Sequence, residues 1–436
     1  SWCGGKAKTV NIGIFTDTFF PQISGVATSI KTMEKELTKR GHNVYIFTTS
    51  DPQADLVAEE GKVFRFSSIP FVFFPERRIA IAGTQKVAHL IKRLEIDVIH
   101  THTEFSMGLI GKKMAKKFHL PVVHTYHTMY EDYLHYIGKG KLITQGVVQR
   151  FSRAFCESMD TVIVPTEKVQ SSLRRYGVTN HIRIIPTGTE FKSFQADRFS
   201  KQEVAETKAQ LGIAETDKVI VSIGRVAQEK GIDIIVRAFP SILERVPNAK
   251  LLIVGDGPAR KDLEELAFTE GVSKSVIFAG EQDWETIGRF YRLGQVFVSA
   301  STSETQGMTY IEAMASGIPV IAKADRSNED LILDRQTGRR FTSDWELPAM
   351  VVDLLEQPEM ARELVSNAYQ HIEKFSAEQF GANIEQLYSE TCVNYGWTEE
   401  RMYGRLDRDY PMSNYVFSIP TEVLQKRDKK VRKYHE

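Results

Sequence analysis

The sequence predicts an α/β protein made of two facing, doubly wound Rossmann-like domains, and three observations carry that prediction. The chain has 436 residues, about three times the length of a typical ~150-residue domain, so two or three domains are required. From Val10 onward, short Val- and Ile-rich runs alternate with helix-period runs. That is the pattern of buried parallel strands joined by crossover helices. The alternation runs to about Gly188, pauses over a polar helical stretch from Phe194 to Leu211, and then begins again.

Element by element, VNIGIFTD reads as a strand, SGVATSIKTMEKELTKRG as a helix stopped at Gly41, and NVYIFTTS as a second strand. VFRFSS (Val63 to Ser68) is a further strand, followed by an aromatic loop IPFVFFPERR and a helix from Gln85 to Leu94. DVIHTH and PVVHTYHT are strands flanking the helix FSMGLIGKKMAKKF, and TVIVPT and IRIIPTG close the first block. In the second block KVIVSIG, KLLIVGDG, SVIFAGE, QVFVSAS and PVIAKA are strands separated by helices, and a long helical region runs from Leu347 to about Tyr395. The expected divisions are 10–193, 194–374, a crossover helix over 375–397 and an extension over 398–436. The last of these loses the pattern and ends with a local excess of three positive charges over residues 421–436.

Composition excludes several classes. Lys+Arg and Asp+Glu both number 56, so bulk phosphate neutralisation, the basis of nucleic-acid binding, is not expected. Hydrophobic residues at 42% and charged residues at 26% are ordinary globular values. Cys3, Cys156 and Cys392 lie far apart with no CxxC, which supports neither a zinc knuckle nor a disulfide framework and fits a reducing, cytoplasmic compartment. No apolar run reaches the ~18 residues of a membrane span, and SWCGGKAK lacks a signal-peptide core. Ser1 to Thr9 reads as an appended, non-native segment.

In doubly wound folds, chemistry sits in the loops at the carboxyl ends of strands. The loop after QVFVSAS reads STSETQGMTYIEAMASG. Its helix is expected to begin near Thr309, after a sharp turn at Gly307, leaving amides around Met308 and Thr309 open to a diphosphate. Glu304 in the loop would reach a sugar beyond the phosphates, and Glu312, eight positions later in the first helical turn, would reach a ribose. Alone, Glu312 is equally a partner of the helix dipole and Glu304 a solvated charge. The loop after KVIVSIG changes that balance. Arg225 and Lys230, five positions apart, are placed to clamp a diphosphate and to stabilise it as it leaves.

In the first block Ser24-Gly25-Val26 follows the first strand, and Gly25 allows close approach of a ligand. A single glycine is not a GxGxxG fingerprint, so a dehydrogenase is disfavoured. His127 ends the strand PVVHTYHT on the crevice side, where it serves either the reacting sugar or the local structure. His100, His102 and His124 stand at similar strand ends without an acidic partner at metal spacing, so no metal site is expected. Asp17 is placed at the crevice by position alone.

GRVAQEKGIDIIVRAF, LLIVGDGP and SETQGMTYIEAMASGIPVIA resemble the donor half of the family 4 retaining glycosyltransferases with the GT-B fold. The E-x7-E motif falls on Glu304 and Glu312 and the basic pair on Arg225 and Lys230. The likeness runs from about Asn11 to Tyr395. It implies a nucleotide-sugar donor in the second domain, an acceptor in the first, and a carboxy-terminal helix (Phe375 to Tyr395) returning to the first. TDTFFPQISGVATSI, HTHTEFSMG and HTYHTMYEDYLHY are similar to the bacterial diacylglycerol glucosyltransferases of that family. This narrower likeness implies UDP-glucose as donor, and no metal or other cofactor is expected to be needed to bind it. It also implies an α-linked product and diacylglycerol as acceptor; Asp17, Tyr130 and Tyr133 are the residues expected on the acceptor side.

A membrane-surface substrate has modest support of its own. Lys112, Lys113, Lys116 and Lys117 form one positive helix face. A helical projection from Ile143 to Phe155 groups Ile143, Val147, Val148, Phe151 and Phe155 on one arc, with Arg150 and Arg153 on another. Phe71, Phe73 and Phe74 are a second candidate for insertion, although such segments also pack inward. The expected location is cytoplasmic, peripheral on the inner face of the cell membrane. A retaining reaction by double displacement would need a second carboxylate, and none is convincing at the crevice of the first domain. The family resemblance implies front-face substitution instead, in which a diphosphate oxygen takes the acceptor proton. Rival readings are a family 4 enzyme with another acceptor, a nucleotide-sugar 2-epimerase, and a non-catalytic peripheral membrane protein.

Overall fold

The computed structural model describes residues 9–22, 24–71, 74–80, 83–127 and 145–395. In the first domain the strands are β1 (Asn11–Phe15), β2 (Asn43–Thr49), β3 (Val63–Phe66), β4 (Ser68–Phe71), β5 (Phe74–Ala80), β6 (Val98–Thr101), β7 (Val122–Thr125), β8 (Thr161–Val164) and β9 (Ile182–Ile184). Its helices are α1 (Gly25–Lys39), α2 (Thr84–Arg93), α3 (Ser106–Phe118), α4 (Gln145–Cys156) and α5 (Glu167–Arg175). The second domain has strands β10 (Lys218–Ile223), β11 (Ala249–Val254), β12 (Val276–Gly280), β13 (Val296–Ser299), β14 (Val320–Lys323) and β15 (Arg339–Phe341). Its helices are α6 (Lys201–Gln210), α7 (Ile232–Arg245), α8 (Arg260–Thr269), α9 (Ile287–Tyr291), α10 (Met308–Ala315), α11 (Leu347–Glu356) and α12 (Pro358–His371), and α13 (Ala377–Asn394) follows.

Among the described residues two parallel sheets form, ordered β3-β2-β1-β6-β7-β8-β9 and β12-β11-β10-β13-β14-β15. Both reverse direction beside their first strand, between β1 and β6 and between β10 and β13, which is where doubly wound sheets open a ligand crevice. Strand alternation divides each core into two layers. Val219 and Val221 of β10 face one layer and Ile220 the other. Ile12 and Ile14 of β1 face a layer separate from Phe15. Helices cover both faces, so the strands read as continuous apolar runs.

Two expectations are corrected. IPFVFFPERR is not a loop: β4 and β5 pair antiparallel, Ser68 opposite Ala80 and Ile69 opposite Ile79. Pro70 interrupts the β pattern in sequence but pairs opposite Arg78 in this two-stranded ribbon, a setting that tolerates proline. The polar stretch 194–211 is α-helical only from Lys201 to Gln210, where Ser200 and Glu203 form a reciprocal capping box, and before that makes just a single 3-10 turn at Ala196–Arg198. The helical region 347–395 divides into three α-helices, because Pro358 and Ser376 start new ones. Residues 398–436 lie outside the described residues.

α13 returns to the first domain. Phe380, Ile384, Leu387, Tyr388 and Cys392, a helical stripe, join Ile12, Val26 and Ile30 in one core. The crossing point is tight: Thr189 N–H donates to Phe375 O (2.9 Å) and Ala377 N–H to Thr189 O (3.0 Å). A second contact between the domains pairs the rings of Phe20 and Trp284 edge-on, centroids 6.1 Å apart. Among the described residues no helix is long and apolar enough to cross a membrane.

Candidate active site

The loops after β10 and β13 flank the second domain's switch point, and they are joined directly. Lys230 Nζ lies 2.6 Å from Glu304 Oε1. Arg225, exposed, stands two residues beyond the end of β10. Gly307 takes φ 76°, a left-handed conformation open to glycine. A Cβ there would fall 2.3 Å from the Tyr310 ring. This turn starts α10 at Met308, so the amides of Met308 and Thr309 belong to the first helical turn, whose N–H groups have no partner within the helix. Glu312 is thus the fifth helical residue, one residue deeper than the sequence suggested and just past the first turn.

The two glutamates sit in opposite electrostatic settings. Burial alone would raise Glu304, but the charge and hydrogen bond of Lys230, with Ser301 and Lys168, hold its carboxyl below the usual range. Glu312 has no cation to answer its burial and is pushed up to about 7, against the opposing hydrogen bond from Tyr291. The Tyr291 hydroxyl donates to Glu312 Oε2 at 2.5 Å. The site therefore offers a fixed carboxylate at position 304, a titratable one at 312, and a helix N-terminus with two cations nearby.

Across the cleft, Gly25 opens α1 behind the Ser24 cap, and a Cβ on it would meet nothing within 4 Å. His127 lies two residues past β7, with its Nε2 2.8 Å from His102 Nδ1. Burial, helped by His124, lowers the His127 imidazole to about 3, so it is neutral and offers one N–H donor at physiological pH. His100 bonds Tyr388 of α13 (2.6 Å) and Thr125 (2.7 Å), and His124 bonds Glu104 (3.1 Å). Among the described residues no group of three His, Cys, Asp or Glu is arranged to hold a metal.

Asp17 is placed at the crevice end of β1, but its carboxylate already has partners. It accepts from Thr103 Oγ1 (2.6 Å), from Met107 N–H (3.0 Å) and from the Ser106 hydroxyl. It thus brackets the N-terminus of α3, and burial raises its carboxyl above the usual value. Tyr130 and Tyr133 lie outside the described residues, as do Phe73 and Ile143.

On the outer face of the first domain, Lys113, Lys116 and Lys117 are exposed and Lys112 half-buried, its Nζ 6.0 Å from the Phe155 ring. The apolar arc of α4 divides: Phe155 is in the core, whereas Val147 and Phe151 are 46% and 39% exposed. Phe151 stacks on Phe105, and Leu109, one turn further along α3, is 48% exposed. Arg150 and Arg153 are also exposed.

Lys168, Thr166, Gln306 and Asp325, which join the loop after β13 to the first domain, were not singled out from sequence. Their one legible signal is position, since each follows a strand's carboxyl end.

Comparison with known proteins agrees with this geometry. Residues 23–192 match the model of Glycosyltransferase Family 4, and residues 203–371 match that of Glycosyl transferases group 1. An α-monoglucosyldiacylglycerol synthase of Streptococcus pneumoniae is 38% identical over 95% of this chain and 93% of its own length.

The chain belongs to glycosyltransferase family 4.

A second family member of the same name, from Acholeplasma laidlawii, is 32% identical over 87% of this chain and 96% of its own. Among solved structures, Anabaena HepE in complex with UDP and glucose superposes with TM-score 0.72 at 18% identity, over 87% of this chain and 100% of that one. Sucrose-phosphate synthase from Thermosynechococcus elongatus gives 0.71 at 24% identity, over 89% and 100%. These two neighbours show the GT-B fold.

Proposed function

We propose that this family 4 enzyme transfers glucose from UDP-glucose to the 3-hydroxyl of 1,2-diacylglycerol, with retention, giving α-monoglucosyldiacylglycerol. The observation that carries the reading is near full-length likeness to two α-monoglucosyldiacylglycerol synthases. The Lys230–Glu304 pair at the donor switch point supplies chemistry that fits it.

In the unliganded site Lys230 neutralises Glu304. A bound donor separates them: the ammonium moves to the diphosphate with Arg225 and the α10 amides, and the Glu304 carboxylate accepts from hexose hydroxyls. Glu312 receives the ribose hydroxyls. Charge accumulates on the diphosphate as the anomeric bond breaks, and the cations with the helix N-terminus stabilise it there. Asp17, held by α3, is a poor nucleophile, which favours front-face substitution with the departing diphosphate as proton acceptor. Neutral His127 is placed to hydrogen-bond the sugar near the reacting carbon. The protein's own cations serve the diphosphate, and we propose that turnover survives chelation of divalent metal.

The exposed Leu109, Val147 and Phe151, bordered by the α3 lysines and by Arg150 and Arg153, support docking to an anionic membrane on its cytoplasmic side. Purified protein with UDP-glucose, with and without diacylglycerol in anionic micelles, tests the assignment. UDP release that requires diacylglycerol supports it. A new nucleotide-sugar formed without acceptor means an epimerase, and donor turnover only with another acceptor moves the enzyme elsewhere in the family.

A further inference from the structure

Lys168 belongs to the first domain, in the opening turn of α5, yet its ammonium is used across the domain boundary. It donates to the main-chain carbonyls of Thr302 (2.8 Å) and Glu304 (3.1 Å) and pairs with Asp325 (2.8 Å). An ammonium has three N–H donors, and here three acceptors meet it, all from the second domain. The side chains of Lys168 and Asp325 are only 16% and 15% exposed. Two residues earlier, Thr166 Oγ1 donates to Thr305 O at 2.7 Å. Gln306 completes the seam by binding both backbone groups of Thr187, at 2.7 and 2.8 Å.

The donor loop is therefore gripped from behind by the acceptor domain at Thr302, Glu304, Thr305 and Gln306. Glu304 is held at both ends, its carbonyl by Lys168 and its carboxylate by Lys230. Asp325 is itself fixed by Ser327, whose hydroxyl (2.6 Å) and N–H (2.9 Å) donate to the same Oδ1 that Lys168 binds. Removing the ammonium would leave two clustered carbonyls and a carboxylate facing one another, and their repulsion would move the loop.

Building on the donor-site reading above, we propose that Lys168 is a positioning residue. It sets Glu304 through the loop backbone, so that turnover depends on how the acceptor domain is seated against the donor loop. The acceptors of Lys168 are the Thr302 and Glu304 carbonyls and the Asp325 carboxylate, none of them a group assigned above to the nucleotide, so nucleotide affinity is expected to change little without it. This separates positioning from general stability: turnover should fall while UDP affinity stays.

The test compares the full-length parent with Lys168→Met and Lys168→Arg, measuring kcat and KM for UDP-glucose and, by calorimetry, the Kd for UDP. Misplacing a reacting group by about 1 Å costs on the order of a hundredfold, so kcat of Lys168→Met should fall about tenfold to a hundredfold. Its Kd for UDP should stay within about twofold, and Lys168→Arg, which keeps charge and donors, should recover most of kcat. An unchanged kcat overturns the proposal, and so do kcat and UDP affinity falling together. If Lys168→Met does not fold, Thr166→Val carries the same comparison, with a lower kcat at unchanged Kd expected and unchanged kcat overturning it. A parent that binds UDP but ignores diacylglycerol refutes only the acceptor assignment, and kcat is then read from hydrolysis of UDP-glucose.

Discussion

Glu304 and Glu312 are the same residue type, eight positions apart, and the fold makes them different acids. Lys230 keeps the first ionised, whereas burial raises the second to about 7. Pairs of titratable groups driven apart in this way divide labour within a site. Glu304→Gln keeps the shape but loses an ionic acceptor for the hexose. A charge-assisted hydrogen bond is worth roughly 1.5–3 kcal/mol, so turnover should fall by about one to two decades with UDP affinity nearly kept. Near-normal turnover would remove Glu304 from the hexose. For Glu312 the sign follows from which form binds ribose. Hydroxyl donors prefer the carboxylate, so UDP should bind more tightly above pH 7 and lose affinity as pH drops through it, with proton release on binding near neutrality. Calorimetry in two buffers of different ionisation enthalpy measures that proton, and Glu312→Gln should abolish both effects.

At the scale of elements, α10 depends on one backbone angle. Gly307→Ala would strain a φ of 76° and drive a methyl into the Tyr310 ring, a cost of about 1–3 kcal/mol. Thermal unfolding with and without UDP should show a lower Tm and a smaller UDP-induced rise. On the other domain, α3 and α4 present cations beside exposed Leu109, Val147 and Phe151. Each basic residue near an anionic surface contributes about 1 kcal/mol, screened by salt. Cosedimentation with phosphatidylglycerol vesicles should therefore be lost when Lys112, Lys113, Lys116 and Lys117 become glutamate. UDP binding should survive in that variant, since the proposed donor site is in the other domain. Unchanged cosedimentation would shift the docking face to the 398–436 extension or the β4–β5 ribbon.

Across the whole molecule, the first domain sets a row of histidines at the carboxyl ends of β6 and β7, the first of which, His100, reaches Tyr388 of α13. Burial lowers His100 and His102 well below their usual value, and His127 to about 3. In the unfolded chain each titrates near 6.5, so below that pH the unfolded state binds more protons. Their stability contribution is complete above about 6.5 and is lost on acidification, at about 1.4 kcal/mol per pH unit for each histidine. Glu312 and Asp17, raised by burial, oppose the trend. Urea unfolding at pH 5.0, 6.0 and 7.5 should show net loss towards acid, and His102→Gln should flatten the slope. An identical slope in that variant would mean that His102 is protonated when folded.

Two doubly wound sheets and the strand-end loops that carry Glu304 and the Arg225–Lys230 pair were legible without a structure, whereas the return of α13 was implied by the family resemblance alone. Burial on both faces writes continuous Val and Ile runs, and a turn before a helix writes glycine, so these features are local in the chain. The β4–β5 ribbon was not legible, because Pro70 and Pro75 break the strand pattern that its pairing restores. Nor was the occupation of Asp17 by α3, about 90 residues away in sequence. The acidity of each glutamate and the grip of Lys168 on the donor loop depend on neighbours separated in the chain and brought together in space. No local period records such a neighbour: Lys168 and Glu304 are 136 residues apart in sequence and 3.1 Å apart in the folded protein.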